Sequence, residues 1–157
     1  MMKRKLNSSS DFDFILNLLD ADNNPVGWIE ANWELTLYTT SKNFAYKASY
    51  AYGEKNNCLN DNGKIHVVVD RHEFPIGDLF MDFAVDIPDE RFPDGSRHVS
   101  VLAQPTDIEM VLERGLEASG LELNLRVPHI GTKQESEQPA PDSDNSEKSE
   151  GPPEENA

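Results

Sequence analysis

The chain has 157 residues and a net charge of −15, from 29 acidic and 14 basic side chains. That acidic excess argues against a nucleic-acid binder, because phosphate contacts need a basic surface. The lone Cys58 leaves no intrachain disulfide to form, and no apolar run approaches the ~20 residues that span a bilayer.

In chain order, residues 1–10 read as a flexible N-terminal arm. They hold the only basic cluster, Lys3-Arg4-Lys5, and then turn polar without the apolar stretch of a secretory signal. Period-two alternation starts at Phe12, with Phe14, Leu16 and Leu18 opposed to Asp11, Asp13 and Asn17. A turn follows over residues 20–25. A long amphipathic strand then places Ile29, Ala31, Trp33, Leu35 and Leu37 on one face, with Trp28, Glu30, Glu34 and Tyr38 on the other.

Phe44, Tyr46, Ala48, Tyr50 and Tyr52 alternate next. Residues 53–63 read as a polar loop ending in the turn signal Asp61-Asn62-Gly63. Ile65, Val67 and Val69 mark a short strand, and Leu79, Met81, Phe83, Val85 and Ile87 a longer one. Pro93-Asp94-Gly95 makes a turn, and Val99 and Val101 a further short strand up to Pro105. Residues 106–119 fit two patterns. Thr106 and Glu109 suit a helical capping box, whereas Ile108, Met110 and Leu112 alternate, and Gly115 weakens a helix by ~1 kcal/mol. The alternation favours a strand up to Glu113. Leu121, Leu123, Leu125 and Val127 form the last strand.

Residues 133–157 contain no Val, Ile, Leu, Met, Phe, Trp, Tyr or Cys. Eight acids and two bases there give −6, leaving −9 for the rest. Without apolar side chains the segment cannot offset the entropy of ordering its backbone, so residues 131–157 are expected to be a disordered acidic tail. The predicted organisation is an arm (1–10), one all-β domain (11–130) built as an antiparallel, immunoglobulin-like β-sandwich of about seven or eight strands, and the tail.

Chemistry is sparse. There is no Gly-rich phosphate loop, nucleophile elbow, His-Glu-x-x-His or Cys-x-x-Cys pattern. Asp20, Asp22 and Asn24 open like a calcium loop, but Pro25 stands where that loop needs Gly and Ala31 where it needs Glu. His66, His72, His98 and His129 lack ligand spacing, although His66 and His72 could in principle share a zinc ion. Asp82 and Asp86 lie on the outward parity of their strand and read as solvated charges. Cys58 reads as a half-buried apolar residue. No catalytic residue, cofactor or metal is expected.

The aromatics leave two readings open. Tyr46, Tyr50 and Tyr52 share a face with Phe44, while Trp28 and Tyr38 oppose the apolar face of their own strand. Same-face aromatics belong to a core, or they form a surface for a protein or a sugar. Trp28, Tyr38, Tyr46, Tyr50 and Tyr52 are therefore the candidate partner-binding residues.

The turn-and-strand order carries a resemblance. Asn24-Pro25-Val26, Trp33-Glu34-Leu35-Thr36-Leu37-Tyr38-Thr39, Ser49-Tyr50 and Asp61-Asn62-Gly63-Lys64-Ile65-His66-Val67-Val68-Val69-Asp70 are followed by Pro75-Ile76-Gly77-Asp78-Leu79. Ile87-Pro88-Asp89-Glu90-Arg91-Phe92-Pro93-Asp94-Gly95, Thr106-Asp107-Ile108-Glu109 and Leu125-Arg126-Val127-Pro128 complete the series. From Ser10 to Ile130 the chain resembles the N-terminal immunoglobulin-like domain of phage baseplate upper proteins and related virion modules of crAss-like and similar tailed phages. These signatures are turns and strands rather than chemical motifs.

The resemblance implies a non-enzymatic β-sandwich in a virion, synthesised in the host bacterial cytoplasm. It would bind other phage structural proteins in an oligomeric assembly, as part of a baseplate, tail or head-fibre attachment, with neither nucleic acid nor membrane as partner. Such domains lead into a helix, a collagen-like run or a fibre, whereas in this chain Gly131 leads into the acidic segment, which points to a standalone adaptor. A carbohydrate-binding module is the alternative.

Truncation after Thr132 is expected to leave the thermal melt almost unchanged, because the removed residues offer a core nothing. A fall of more than a few degrees would show that the tail packs on the domain.

Overall fold

The computed structural model describes residues 4–40, 42–113 and 120–130. The expected acidic tail lies outside the described residues, as do residues 114–119 of the ambiguous segment. The described chain is all-β, with no α-helix. Its strands are β1 (Arg4–Asn7), β2 (Phe12–Leu19), β3 (Pro25–Val26), β4 (Trp33–Tyr38), β5 (Tyr46–Ala51) and β6 (Glu54–Asn56), then β7 (Cys58–Asp61), β8 (Lys64–Val69), β9 (Gly77–Pro88), β10 (Ser96–Val111) and β11 (Glu122–Arg126). One sheet runs β1-β10-β9-β4-β5-β6 and the other β11-β2-β8-β7, with β3 paired to β2. The pairs are antiparallel except β1 with β10 and β11 with β2.

Alternation explains the core. Phe14, Leu16 and Leu18 from β2, Ile65, Val67 and Val69 from β8, and Leu123 and Leu125 from β11 cover the inner face of one sheet. Trp33, Leu35 and Leu37 from β4, Leu79, Met81, Phe83 and Val85 from β9, and Ile108 and Met110 from β10 cover the inner face of the other. They merge into a single buried cluster, which makes the two sheets a β-sandwich.

Among the described residues eleven strands stand where seven or eight were expected, and each difference has a local cause. Residues 4–7 are not a free arm. Leu6, 4% exposed, is buried beside β10, and Ser8 N donates to Val111 O at 2.8 Å. The 53–63 loop contains β6 and β7, whose residues are almost all exposed and so show no alternation. The strand expected from Trp28 begins only at Trp33, with Ile29 and Ala31 half-buried ahead of it. Likewise Phe44 falls in a 3-10 turn (Lys42–Phe44) before β5.

The two strands expected around Pro105 are one, β10, with register shifts between Val101 and Gln104 and between Pro105 and Glu109. Ala103 and Asp107 adopt positive φ at those bulges. β1 pairs only with Ile108–Val111, so on that side of β10 no strand calls for the N–H that Pro105 lacks, while on the other side Pro105 lies opposite Phe80 of β9. Thr106 is no helix cap: its buried hydroxyl donates to Leu79 O at 2.8 Å.

The sheets are linked at a tight corner. At Asn57 (φ 60) the chain passes from β6 to β7, that is, from one sheet to the other. Its side-chain Nδ2 donates to Lys47 O at 2.8 Å, and its carbonyl accepts from Val68 N at 3.0 Å. Tyr46 adds a second link, donating its hydroxyl to Val68 O at 2.8 Å.

Trp33 and Phe83 stack at 5.7 Å between ring centroids, both almost fully buried. Replacing either with Ala should destabilise by ~3–5 kcal/mol. Because the rings touch, the double mutant should cost measurably less than the sum of the singles. Urea unfolding of the three variants tests this, and parent-like stability in either single would contradict the inward register of β4 and β9.

Candidate functional site

Of the five candidate aromatics, only two are brought together. Trp28 and Tyr50 meet edge-to-face at 5.0 Å, and both donate to Glu30, Trp28 Nε1 at 3.0 Å and Tyr50 Oη at 2.7 Å. Trp28 also packs edge-on against Trp33 at 6.1 Å, so this group seals the rim of the core. Tyr46, half-buried, serves the sheet-to-sheet link. Tyr38 lies on the outer face of the six-stranded sheet, stacked on Phe80 at 6.1 Å. Tyr52 is 90% exposed at the β5–β6 turn.

Asp82, on that outer face, is not the solvated charge its parity suggested. Asp82 has a side chain only 12% exposed, and it accepts hydrogen bonds from Tyr38 Oη (2.9 Å), Lys42 Nζ (2.7 Å) and Ala103 N (2.7 Å). It thereby pins the bulge of β10 to β9 and β4. Burial works to raise its pKa, but the bonds from Ala103, Lys42 and Tyr38 outweigh that and hold it below the ordinary value. Its partner Tyr38 is pushed up to about 12, by burial first and then by the Asp82 carboxylate.

Farther along β9, His98 sits between Asp86 (Nδ1 to Oδ1, 2.5 Å) and Asp94 (Nε2 to Oδ2, 2.8 Å). The hydrogen bond to Asp86, followed by that to Asp94, raises the imidazole pKa, and His98 in turn lowers that of Asp94. The β9–β10 connection is braced by Asp89, whose side chain is 6% exposed. Its carboxylate takes Arg91 Nη2 at 2.7 Å and Arg97 Nε at 3.4 Å. The Arg91 bond, above all, holds Asp89 far below the usual carboxylate range.

The remaining candidates are also engaged in local structure. Asp20 Oδ1 accepts from Asp22 N and Asn24 N, each at 2.9 Å, so the calcium-like sequence forms a self-capped turn. His66 bonds Asp13 at 2.5 Å, whereas His72 bonds Phe44 O at 2.7 Å and packs on Tyr46 and Phe74. The two imidazoles therefore serve different surroundings. Among the described residues no group of three His, Cys, Asp or Glu is placed to hold a metal. Burial pushes the Cys58 thiol pKa up, the opposite of an activated nucleophile.

Sequence reasoning missed a depression of about 300 Å³ in the outer face of the six-stranded sheet. Glu34 on β4 stands between Ser49 on β5 and Ala84 on β9, its direct cross-strand neighbours. These small side chains, with Ala51, leave the hollow, and Asn32, Asp86 and Tyr52 complete its lining. The detectable signal was the pairing of small residues beside Glu34, visible only once the register is known.

No protein-family model, curated protein or solved structure matches this chain. What fold and geometry define is a β-sandwich whose outer-face ionisable groups brace neighbouring strands and turns.

His98 gives a pH prediction. Its folded pKa is raised above the unfolded value of ~6.5, so its stabilisation is present below that pH and fades as pH rises through the folded pKa. Asp94 is lowered, so its share is present above ~3.9 and lost in acid. The gap in melting temperature between the parent and His98→Gln should be widest between roughly pH 4 and 6.5 and shrink as pH rises above that window. A gap independent of pH would rule out the ion pairs as its source.

Proposed function

We propose that this chain is a non-enzymatic structural adaptor of a bacteriophage particle, binding other phage proteins within an oligomeric assembly. The observation that carries the reading is a set of apolar side chains exposed at one end of the sandwich. Ile76 (49% exposed) precedes the start of β9, and Leu112 (67%) follows the end of β10. Those two strand ends are paired through Gly77 and Met110. Phe44 (58%) belongs to the same end, its carbonyl bonded to His72, which packs on Phe74. Exposed apolar groups on a rigid frame are what protein contacts use.

The resemblance adds support, since its segments are the ones that shape the frame. Asn24-Pro25-Val26 leads into Gly27, which lies against the Asn62-Gly63 turn so closely that a Cβ there would stand 2.2 Å from Gly63 O. Ile87 to Gly95 spans the turn braced by Asp89. The surplus of negative charge makes proteins, rather than nucleic acid or membrane, the partners on this reading.

Mass spectrometry of purified particles tests it. The chain should be present in fixed ratio to a portal, capsid or tail protein, and Phe44→Ser with Leu112→Ser should lower its incorporation without lowering its melting temperature. Absence from particles formed in cells that express it would overturn the proposal.

A further inference from the structure

Two tight hairpins among the described residues differ at one position. In β7–β8 the turn is Asn62-Gly63, with φ of 53° and 87°. In β5–β6 it is Tyr52-Gly53, with φ of 52° and 85°. Positive φ at both central residues is the mark of a type I′ turn, which favours Asn-Gly because Asn tolerates the left-handed region and bulky side chains do not. Tyr52 therefore occupies an unfavourable backbone position while burying almost none of its ring. Asn32 holds it there, its Oδ1 accepting from Tyr52 N at 2.9 Å. A strained, exposed aromatic beside a hollow is a reason to look for a ligand.

We propose that the depression beneath Tyr52 is a binding site for a neutral sugar unit, with the Tyr52 ring as its apolar platform. This goes beyond the adaptor reading and does not rest on it. The volume of about 300 Å³ lies at the small end of ligand sites, which start near ~300 Å³. Its polar lining suits hydroxyl groups: the Ser49 hydroxyl donates and accepts, the Asn32 amide nitrogen donates, and the Glu34 and Asp86 carboxylates accept.

Charge favours an uncharged ligand. Asp86 already has His98 at 2.5 Å, and Glu34 has Lys47 at 3.8 Å, so a partner's Lys or Arg would have to compete with the side chain already seated at each carboxylate. An anionic sugar would face those same two carboxylates. A neutral polyol can use their remaining lone pairs without displacing either side chain.

Chemical-shift titration of the full chain with maltose, lactose, cellobiose and diacetylchitobiose tests the site, with sialyllactose and a hexalysine peptide as charged probes. At least one neutral sugar should shift the Ala51, Tyr52, Ala84 and Asp86 amides saturably, at a dissociation constant near ~1 mM or tighter. Tyr52→Asn should weaken that binding by about tenfold or more, yet melt at the same or a higher temperature because Asn suits the turn. Tyr52→Phe should keep the binding. The proposal is overturned if all four neutral sugars leave these amides unmoved, or if a sugar binds equally well to Tyr52→Asn. Hexalysine, rather than a sugar, shifting these amides would assign the hollow to protein docking instead.

Discussion

Each sheet of this protein carries one face that cannot be left in water, and a single interior must cover both. That constraint fixes the register of the long strands. A one-residue slip of β4 would turn Trp33, Leu35 and Leu37 outward and bring Glu34 and Thr36 in. Burial of a large apolar side chain stabilises by roughly 1.5–3 kcal/mol, so such a slip would cost more than a domain's net stability of about 5–15 kcal/mol could tolerate across several strands. The outer-face groups can brace one another only because the inner faces have already placed them. Asp82 reaches Tyr38 and Ala103 since β9 lies between β4 and β10 in that register.

Sequence legibility followed burial. Strands with a fully buried face, such as Phe14, Leu16 and Leu18 in β2 or Leu79, Met81, Phe83 and Val85 in β9, announce themselves by alternation. β1 could not, because a four-residue strand with one buried side chain, Leu6, has no period to detect. β6 has no buried residue at all and exists through its hydrogen bonds to β5. β10 was divided by Pro105 because a proline inside a strand is excluded only where its N–H is needed, and need depends on the neighbour. Parity also placed Asp82 and Asp86 on the outer face correctly but could not reveal their partners, which come from other strands.

The aromatic residues show the same limit in another form. Tyr46 and Tyr50 alternate with exposed or half-exposed positions and point inward, yet they sit near the edge of their sheet, where the core is thin. Each spends its hydroxyl on a specific acceptor, Val68 O for Tyr46 and Glu30 for Tyr50. A phenol suits such a border because its ring packs while its oxygen stays hydrogen-bonded. Core and surface were thus not true alternatives for these side chains. Tyr52, two residues on, is released from that role because the chain has already turned, and only its unusual φ distinguishes it from a continuation of the series.

The acidity of the described residues has a structural use that composition alone does not convey. Asp11 accepts from Arg71 N, Asp20 from Asp22 N and Asn24 N, Asp89 from Arg91 N, Asp94 from Ser96 N and Asp82 from Ala103 N. Each short carboxylate satisfies backbone donors that a turn or bulge removes from the sheet ladder. An all-β chain with many connections needs many such acceptors, and Asp supplies them at the cost of net charge. Arg91 and Arg97 at Asp89, Lys42 at Asp82 and His98 at Asp94 then supply basic partners to three of these carboxylates. An acidic composition built this way is a property of how the turns are held. Glu34 and Asp86 differ from these turn carboxylates in lining the open hollow beside Tyr52.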